Sequence, residues 1–162
     1  ILTIIIPRHI ARNNEILKMC QIHKLKVQVL NERDIVKDDS EILLINSFGS
    51  LNQFYKFCQS VFMGKSLLKK LELVGGQNPL EAAKLGCKVY HGKYTYNFKE
   101  IYEFLKSNNI SQEIDSVDQL SNFIVQDFQK NELINKDDIQ LINEFGNKIF
   151  KNTINEKNKF IK

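Results

Sequence analysis

At 162 residues, with 43% hydrophobic and 26% charged residues, the chain has the composition of one ordinary globular domain with a real core, which excludes a disordered or fibrous protein. Its 23 basic and 19 acidic residues leave a net charge of +4, mixed along most of the sequence and too small to argue for nucleic acid as a partner. Three cysteines, Cys20, Cys58 and Cys87, are odd in number and lack metal-ligand spacing. They read as reduced, buried, small apolar residues of a cytoplasmic protein, with no metal site implied.

Taken in order, short apolar runs alternate with amphipathic stretches, the pattern of an α/β fold in which a parallel sheet is covered by helices on both faces. Residues 1–6 form a β-branched run that reads as a buried strand. It has no methionine and no lead-in, so the chain is expected to be cut from a longer polypeptide whose N-terminal partner is missing. Residues 10–23 carry Ile16, Leu17, Met19 and Cys20 at helical spacing, and 26–30 alternate as a second strand. A polar connection at 31–40 leads to a third strand at 42–45, a helix at 51–59 with Leu51, Phe54, Tyr55 and Cys58 on one face, and a fourth strand at 60–63. The long loop 64–77 precedes a short helix at 79–85, ended by Gly86, and a fifth strand at 87–91. Residues 97–107 are helical, 110–114 form a short strand, and helices at about 117–130 and 136–152 close the chain. No stretch is long and apolar enough to cross a membrane, none reads as a signal peptide, and the fragment is expected to be soluble. A basic stretch gathers near the end at Lys148, Lys151, Lys157, Lys159 and Lys162. A solvated helix face is one reading of it, and contact with an anionic membrane surface is the other.

The loop and helix start at 74–83 organise the rest. Asn78 suits an N-cap, Pro79 the first helical position and Glu81 the third, where it can reach back to the cap. Gly75 and Gly76 let another group approach closely, and the helix they introduce carries about half a positive charge at its N-terminus. Such a turn attracts a phosphate or a carboxylate, although a capped helix after a flexible turn is the ordinary alternative. In an open parallel sheet the ligand sits beyond the carboxyl ends of the strands. The residues that follow the strands are Pro7, Arg8 and His9; Asn46, Ser47, Phe48, Gly49 and Ser50; Gly64, Lys65 and Ser66; and Gly92, Thr95 and Asn97. His9 alone reads as structural and Ser50 as a helix cap, but together these groups predict a ligand site along one rim.

The same segments carry a family resemblance. Pro7-Arg8-His9, Ser47-Phe48-Gly49-Ser50-Leu51, Phe62-Met63-Gly64-Lys65-Ser66-Leu67, Gly75-Gly76-Gln77-Asn78-Pro79-Leu80-Glu81 and Asn97-Phe98 occur in the order seen in bacterial 3-deoxy-D-manno-octulosonic acid (Kdo) transferases. The chain resembles the C-terminal half of that enzyme over about residues 3–105. The resemblance implies a GT-B glycosyltransferase, two Rossmann-like domains facing across a cleft, of which residues 1–162 would be the single domain that binds the donor CMP-Kdo. The absent N-terminal domain would receive the lipid A precursor at the cytoplasmic face of the bacterial inner membrane, in lipopolysaccharide biosynthesis. By that resemblance Pro7, Arg8, His9 and the adjacent backbone hold the donor phosphate or cytidine. Phe48, Gly49 and Ser50 line the nucleotide through their main chain, and Gly76, Gln77, Asn78 and Glu81 meet the phosphate and ribose. An arginine can chelate phosphate oxygens and a carboxylate can accept from ribose hydroxyls, so the chemistry agrees. Glu81 cannot use one oxygen both to cap and to bind ribose.

The chain departs from the family at four places. Gly49-Ser50 stands for a glycine-glutamate pair, Gln77 for a histidine, and Lys65 and Lys93 for a glycine and a proline. The family's base is a glutamate of the N-terminal domain, so no residue here is assigned as catalytic, no cofactor or metal is called for, and the isolated fragment is expected to be inactive. Two other readings stay open. One is a non-catalytic nucleotide-binding module, suggested by Ser50 and Gln77. The other is another nucleotide-sugar enzyme such as a GT-B epimerase, while a dinucleotide enzyme is disfavoured because Pro7-Arg8-His9 replaces the G-x-G-x-x-G turn.

Overall fold

The computed structural model describes residues 1–47, 49, 51–130 and 136–159. It divides into two compact units, Ile1–Leu51 and Asn52–Lys162. Phe48 and Ser50 lie outside the described residues.

The first unit contains β1 (Thr3–Ile5), a 3-10 turn (Ile10–Arg12), α1 (Asn13–Ile22), β2 (Val27–Leu30) and β3 (Ile42–Ile45). The strands are parallel in the order β1-β3-β2. β3 is the central strand, and its four aliphatic residues are all buried, as a run hydrogen-bonded along both edges requires. β1 is shorter than its apolar run suggests, with Ile1 and Leu2 left exposed. Ile5 lies opposite Leu44, so the segments following β1 and β3 leave the same end of the sheet.

The second unit contains α2 (Leu51–Tyr55, of which Leu51 closes the first unit), β4 (Ser60–Met63), a 3-10 turn (Lys69–Leu71) and α3 (Leu80–Lys84). It continues with β5 (Lys88–His91), a 3-10 turn (Tyr96–Phe98), α4 (Lys99–Ser107), β6 (Ser111–Glu113), α5 (Val117–Lys130) and α6 (Lys136–Lys159). Its strands are parallel in the order β4-β5-β6. The α/β class and the parallel strands agree with the sequence reading, while hydrogen bonding resolves the strands into two three-stranded sheets. Periodicity marks a strand but says nothing about its partner, which is a tertiary choice. The core joins Met63, Leu80, Ala82, Ala83, Cys87, Val89, Leu105, Ile110 and Ile142. Ala82 and Ala83 are fully buried, and their small side chains allow α3 to pack closely on β5 and α6. Phe104 of α4 stacks on Phe145 of α6 at 3.7 Å.

α2 stops at Tyr55, short of the predicted residue 59. The Tyr55 carbonyl accepts from the Cys58 amide at 3.2 Å, and the single S–H of Cys87 is shared between the carbonyls of Tyr55 and Cys58, at 3.1 and 3.2 Å. Burial, with a smaller effect from Cys58, pushes that thiol up to about 12, so it stays a neutral donor. All three cysteines are free and Cys20 and Cys87 are buried, as the sequence implied, whereas Cys58, also expected to be buried, is only half-buried.

α5 is fastened to the sheet by an acid. Asp127 is 3% exposed and accepts from Lys88 Nζ at 2.7 Å, Tyr90 OH at 2.6 Å and Ser60 Oγ at 2.8 Å, while its carbonyl accepts from Gln59 Nε2 at 2.9 Å. Burial by itself would raise the Asp127 pKa, but the hydrogen bonds from Lys88, Tyr90 and Ser60 and the charge of Lys88 outweigh it and hold the carboxyl below the usual range. Asp127→Ala should therefore cost about 3 kcal/mol in urea unfolding at neutral pH, because it strands three polar partners. The folded pKa lies below the unfolded value of about 3.9, so the contribution is complete above that pH and is lost as the pH falls through the folded pKa. The difference between wild type and variant should shrink at low pH, and a constant difference would show that the ionised form carries no part of the stability.

Candidate functional site

The glycine loop is held by main-chain contacts with the segments that follow β4 and β5. The Gly76 amide donates to the Lys65 carbonyl at 2.8 Å, and the Asn97 amide donates to the Gly75 carbonyl at 3.1 Å. A Cβ on Gly75 would meet the carbonyl oxygens of Tyr94, Leu71 and Lys65 at 2.4, 2.7 and 2.8 Å, so no side chain fits there. Gly76 has φ +87°, in the left-handed region, and its α-carbon faces Thr95. Asn97 Nδ2 donates to the Val74 carbonyl at 2.9 Å, and Tyr102 OH donates to the Gln77 carbonyl at 2.7 Å.

The loops after β4 and β5 are locked in turn through Ser66, which is fully buried. Its hydroxyl donates to the Met63 carbonyl at 2.6 Å and accepts from the Gly92 amide at 2.9 Å. A Cβ on Gly92 would lie 2.3 Å from the Ser66 carbonyl. Lys65, standing where the family has glycine, has φ +59° and so occupies backbone space that glycine enters without cost.

This packing delivers the predicted helix start. Pro79 has helical dihedrals, φ −86° and ψ −8°, and Asn78 Oδ1 accepts from the Leu80 amide at 3.0 Å, so Asn78 is the cap and Pro79 the first helical residue. Glu81 departs from expectation. Its carboxylate turns along the helix toward Lys84 Nζ at 3.8 Å instead of reaching back to the cap, because one turn along α3 places a cation beside it. Gly76 is buried, Gln77 half-buried, and Asn78 and Glu81 are exposed on one turn. Asn78 Nδ2 and the Glu81 carboxylate are thereby left facing solvent with hydrogen-bonding capacity to spare.

The remaining predicted residues belong to the first unit. Pro7 is half-buried, and Arg8 and His9 are exposed in the turn after β1, where the His9 carbonyl accepts from the Arg12 amide at 3.0 Å. Gly49 is exposed, with φ +84°, four residues beyond β3. Between these segments lies a row of amides that sequence reading did not single out. Asn13 Nδ2 donates to Asn46 Oδ1 at 2.9 Å, and Asn46 Nδ2 donates to Asn31 Oδ1 at 2.8 Å. Asn13 is 7% exposed, and its Oδ1 is buried without a hydrogen-bond partner among the described residues. It is an acceptor available to a hydroxyl, an amino group or a water. Only its place at the start of α1 marked it in the sequence.

His91 also escaped the sequence reading. It ends β5 at 2% exposure, with Nδ1 donating to the Gly92 carbonyl at 2.8 Å, Nε2 3.4 Å from Ser111 Oγ and its ring 4.4 Å from that of Tyr102. Burial lowers its pKa, which keeps the ring neutral in this setting. Beyond the ends of β5 and β6 opens a cavity of about 630 Å³ that includes His91, Lys93, Tyr94, Thr95 and Tyr96 in its lining. Of the rim residues read from the sequence Thr95 lines it, and none of those assigned by the family resemblance does. Two of its lysines are paired, Lys106 with Glu113 at 2.7 Å and Lys99 with Glu103 at 3.7 Å, so its charge is largely balanced.

No protein-family model matches the chain. In sequence it is similar to the 3-deoxy-D-manno-octulosonic acid transferase of Haemophilus influenzae, 30% identical over 105 residues that make up 65% of this chain and 24% of that protein. The Rickettsia typhi enzyme of the same name is 28% identical over 119 residues, 74% of this chain and 25% of that protein. A bifunctional glycosyltransferase/methyltransferase of Fusobacterium nucleatum is 26% identical over 118 residues, 72% of this chain and 18% of that protein. Among solved structures, the fold is shared with the C-terminal CMP-Kdo binding domain of WaaA from Acinetobacter baumannii, with a TM-score of 0.72 at 23% identity over 87% of this chain and 69% of that one. The chain spans about a quarter of the length of the transferases it matches. The motif resemblance, the sequence similarities and the shared fold point to the same group of enzymes.

The glycine contacts and the cap are separable in stability measurements. Gly75→Ala should cost about 2–3 kcal/mol in denaturant unfolding, because three carbonyls must move, and Asn78→Ala about 1 kcal/mol from loss of the cap. A neutral Gly75→Ala would contradict the close approach described above.

Proposed function

We propose that the chain is the donor-binding domain of a Kdo transferase, a GT-B glycosyltransferase that moves Kdo from CMP-Kdo to a lipid A precursor at the cytoplasmic face of the inner membrane. The observation that carries this reading is the turn at 75–81. There a main-chain-locked glycine loop leads into a capped helix start on a fold shared with a CMP-Kdo binding domain. On this reading Arg8 chelates phosphate oxygens of the donor, Asn78 Nδ2 donates to an oxygen of the phosphate or ribose, and the Glu81 carboxylate accepts from ribose hydroxyls. The competition between capping and ribose binding at Glu81 does not arise, since Asn78 caps without it. The reaction is an inverting transfer, in which a base outside this chain deprotonates the acceptor hydroxyl while this domain holds CMP as the leaving group. Gly49 adds a further contact to the nucleotide, with Pro7, His9, Gly76 and Gln77 shaping the surroundings.

The test is a CMP titration of the chain followed by amide chemical shifts. Binding should be millimolar, about 4 kcal/mol, and stronger than that of AMP or NAD, with shifts at Arg8, Gly49 and Asn78. Glu81→Gln should lower CMP affinity about five- to thirty-fold, while its thermal melt barely moves, since only the exposed pair with Lys84 is weakened. The chain by itself should transfer no Kdo, because on this reading the base lies outside it. An affinity unchanged by Glu81→Gln would remove the ribose role, and absence of CMP binding at millimolar concentration would favour a module that has kept the fold and lost the ligand.

A further inference from the structure

The cavity beyond the ends of β5 and β6 is left unused by the donor reading. Its volume of about 630 Å³ falls within the range of small-molecule sites, about 300–1,000 Å³. Its walls are already fixed. The loop after β5 is held by the Tyr94 amide donating to the Ser66 carbonyl at 2.8 Å and the Phe98 amide donating to the Thr95 carbonyl at 3.0 Å. Tyr102, part of the lining, is held by its hydrogen bond to the Gln77 carbonyl and lies with its ring 4.4 Å from that of His91. A ligand entering between such walls does not have to order them.

Four lysines and three glutamates give the lining a net charge of +1. Lys106 and Lys99 are engaged by Glu113 and Glu103, and burial keeps His91 neutral. Lys69 and Lys93 are exposed and make no ion pair among the described residues, nor does Glu72. Lys93 Nζ lies over the Tyr94 ring, 5.3 Å from its centre, and Lys93 is one of the positions at which the chain departs from the family. Tyr96 lines the same space and is 62% exposed. A metal ion would meet more lysines than carboxylates there, and a neutral ligand would leave both unpaired ammonium groups unused. We propose that the cavity is a second ligand site, for a phosphate monoester carried on a ring, with Lys69 and Lys93 meeting the phosphate and the ring lying against Tyr96. Phosphate suits the lining better than a carboxylate, since its nearly two negative charges match two ammonium groups. Sugar and aromatic rings share this chemistry, because each offers a flat face to a tyrosine. The site lies wholly within the second unit, and the inference does not rest on the donor reading.

The experiment is a titration of the whole chain with glucose 6-phosphate, phenyl phosphate and inorganic phosphate, followed by amide chemical shifts. At least one ring phosphate should bind about tenfold more tightly than inorganic phosphate, with shifts gathered at Lys69, Lys93, Thr95 and Tyr96. The tighter of the two identifies the ring as sugar or aromatic. Lys93→Ala should weaken that binding about tenfold, and Lys93→Arg should retain it. Tyr96→Ala should weaken it about three- to tenfold and leave inorganic phosphate unaffected. Both side chains are exposed, and an unchanged melt confirms that the comparison is made on folded protein. No binding of either ring phosphate, binding no tighter than that of inorganic phosphate, indifference to Lys93→Ala or Tyr96→Ala, or shifts at Arg8 and Asn78 in place of the cavity would each overturn the proposal.

Discussion

Everything that the second unit offers to a ligand depends on two backbones passing closer than any side chain permits. Gly75 sits against three carbonyl oxygens, and Gly92 sits against the main chain of Ser66 and Leu67, so the loops after β4 and β5 and the loop before α3 form one interlocked layer. Ser66 ties that layer together while fully buried, giving one hydrogen bond and receiving another through the same hydroxyl. Because the layer is held by main chain, the polar side chains of Asn78 and Glu81 are not spent on building it, apart from the one oxygen Asn78 uses as cap. Rigid backbone support under exposed polar groups is what a site needs if ligand binding is not to be offset by ordering the loop.

The beds on which the two sets of candidate residues rest are built differently. In the second unit, α5 is pinned by the buried carboxylate of Asp127, which gathers Ser60, Lys88 and Tyr90 from β4 and β5, so a charge does what apolar packing does elsewhere. In the first unit the end of the sheet is bridged by neutral amides, Asn13, Asn46 and Asn31, and the row ends on a buried acceptor with no donor among the described residues. A carboxylate satisfied by three donors makes a fixed structural joint. An amide oxygen without a partner among the described residues is an acceptor still able to take a hydrogen bond at that end of the first unit.

Much of this was legible in the sequence, and the reasons are local. β3 was read to the residue because a strand buried between neighbours leaves an uninterrupted aliphatic run, and β4, which pairs on one side only, was read from the short apolar run Val61-Phe62-Met63. The helix start at Asn78-Pro79 was legible because capping is decided within four residues by side-chain reach and by the fixed φ of proline. The motifs at 7–9, 47–51, 62–67 and 75–81 sufficed to point to the group of enzymes whose fold the chain shares.

What the sequence left open was decided by partners far along the chain. The orientation of Glu81 followed from a lysine one turn away, the contact of the Cys87 thiol with the carbonyls of Tyr55 and Cys58 from a residue about thirty positions on, and the grouping of strands into two sheets from pairings that periodicity cannot encode. His91, Asn13 and Asp127 look like ordinary polar residues in the sequence, and only tertiary packing made them buried. Local rules determine where an element begins and which residues its ends present. Burial and hydrogen-bond partnership depend on which segments are brought together in space, and no window of the sequence contains that information.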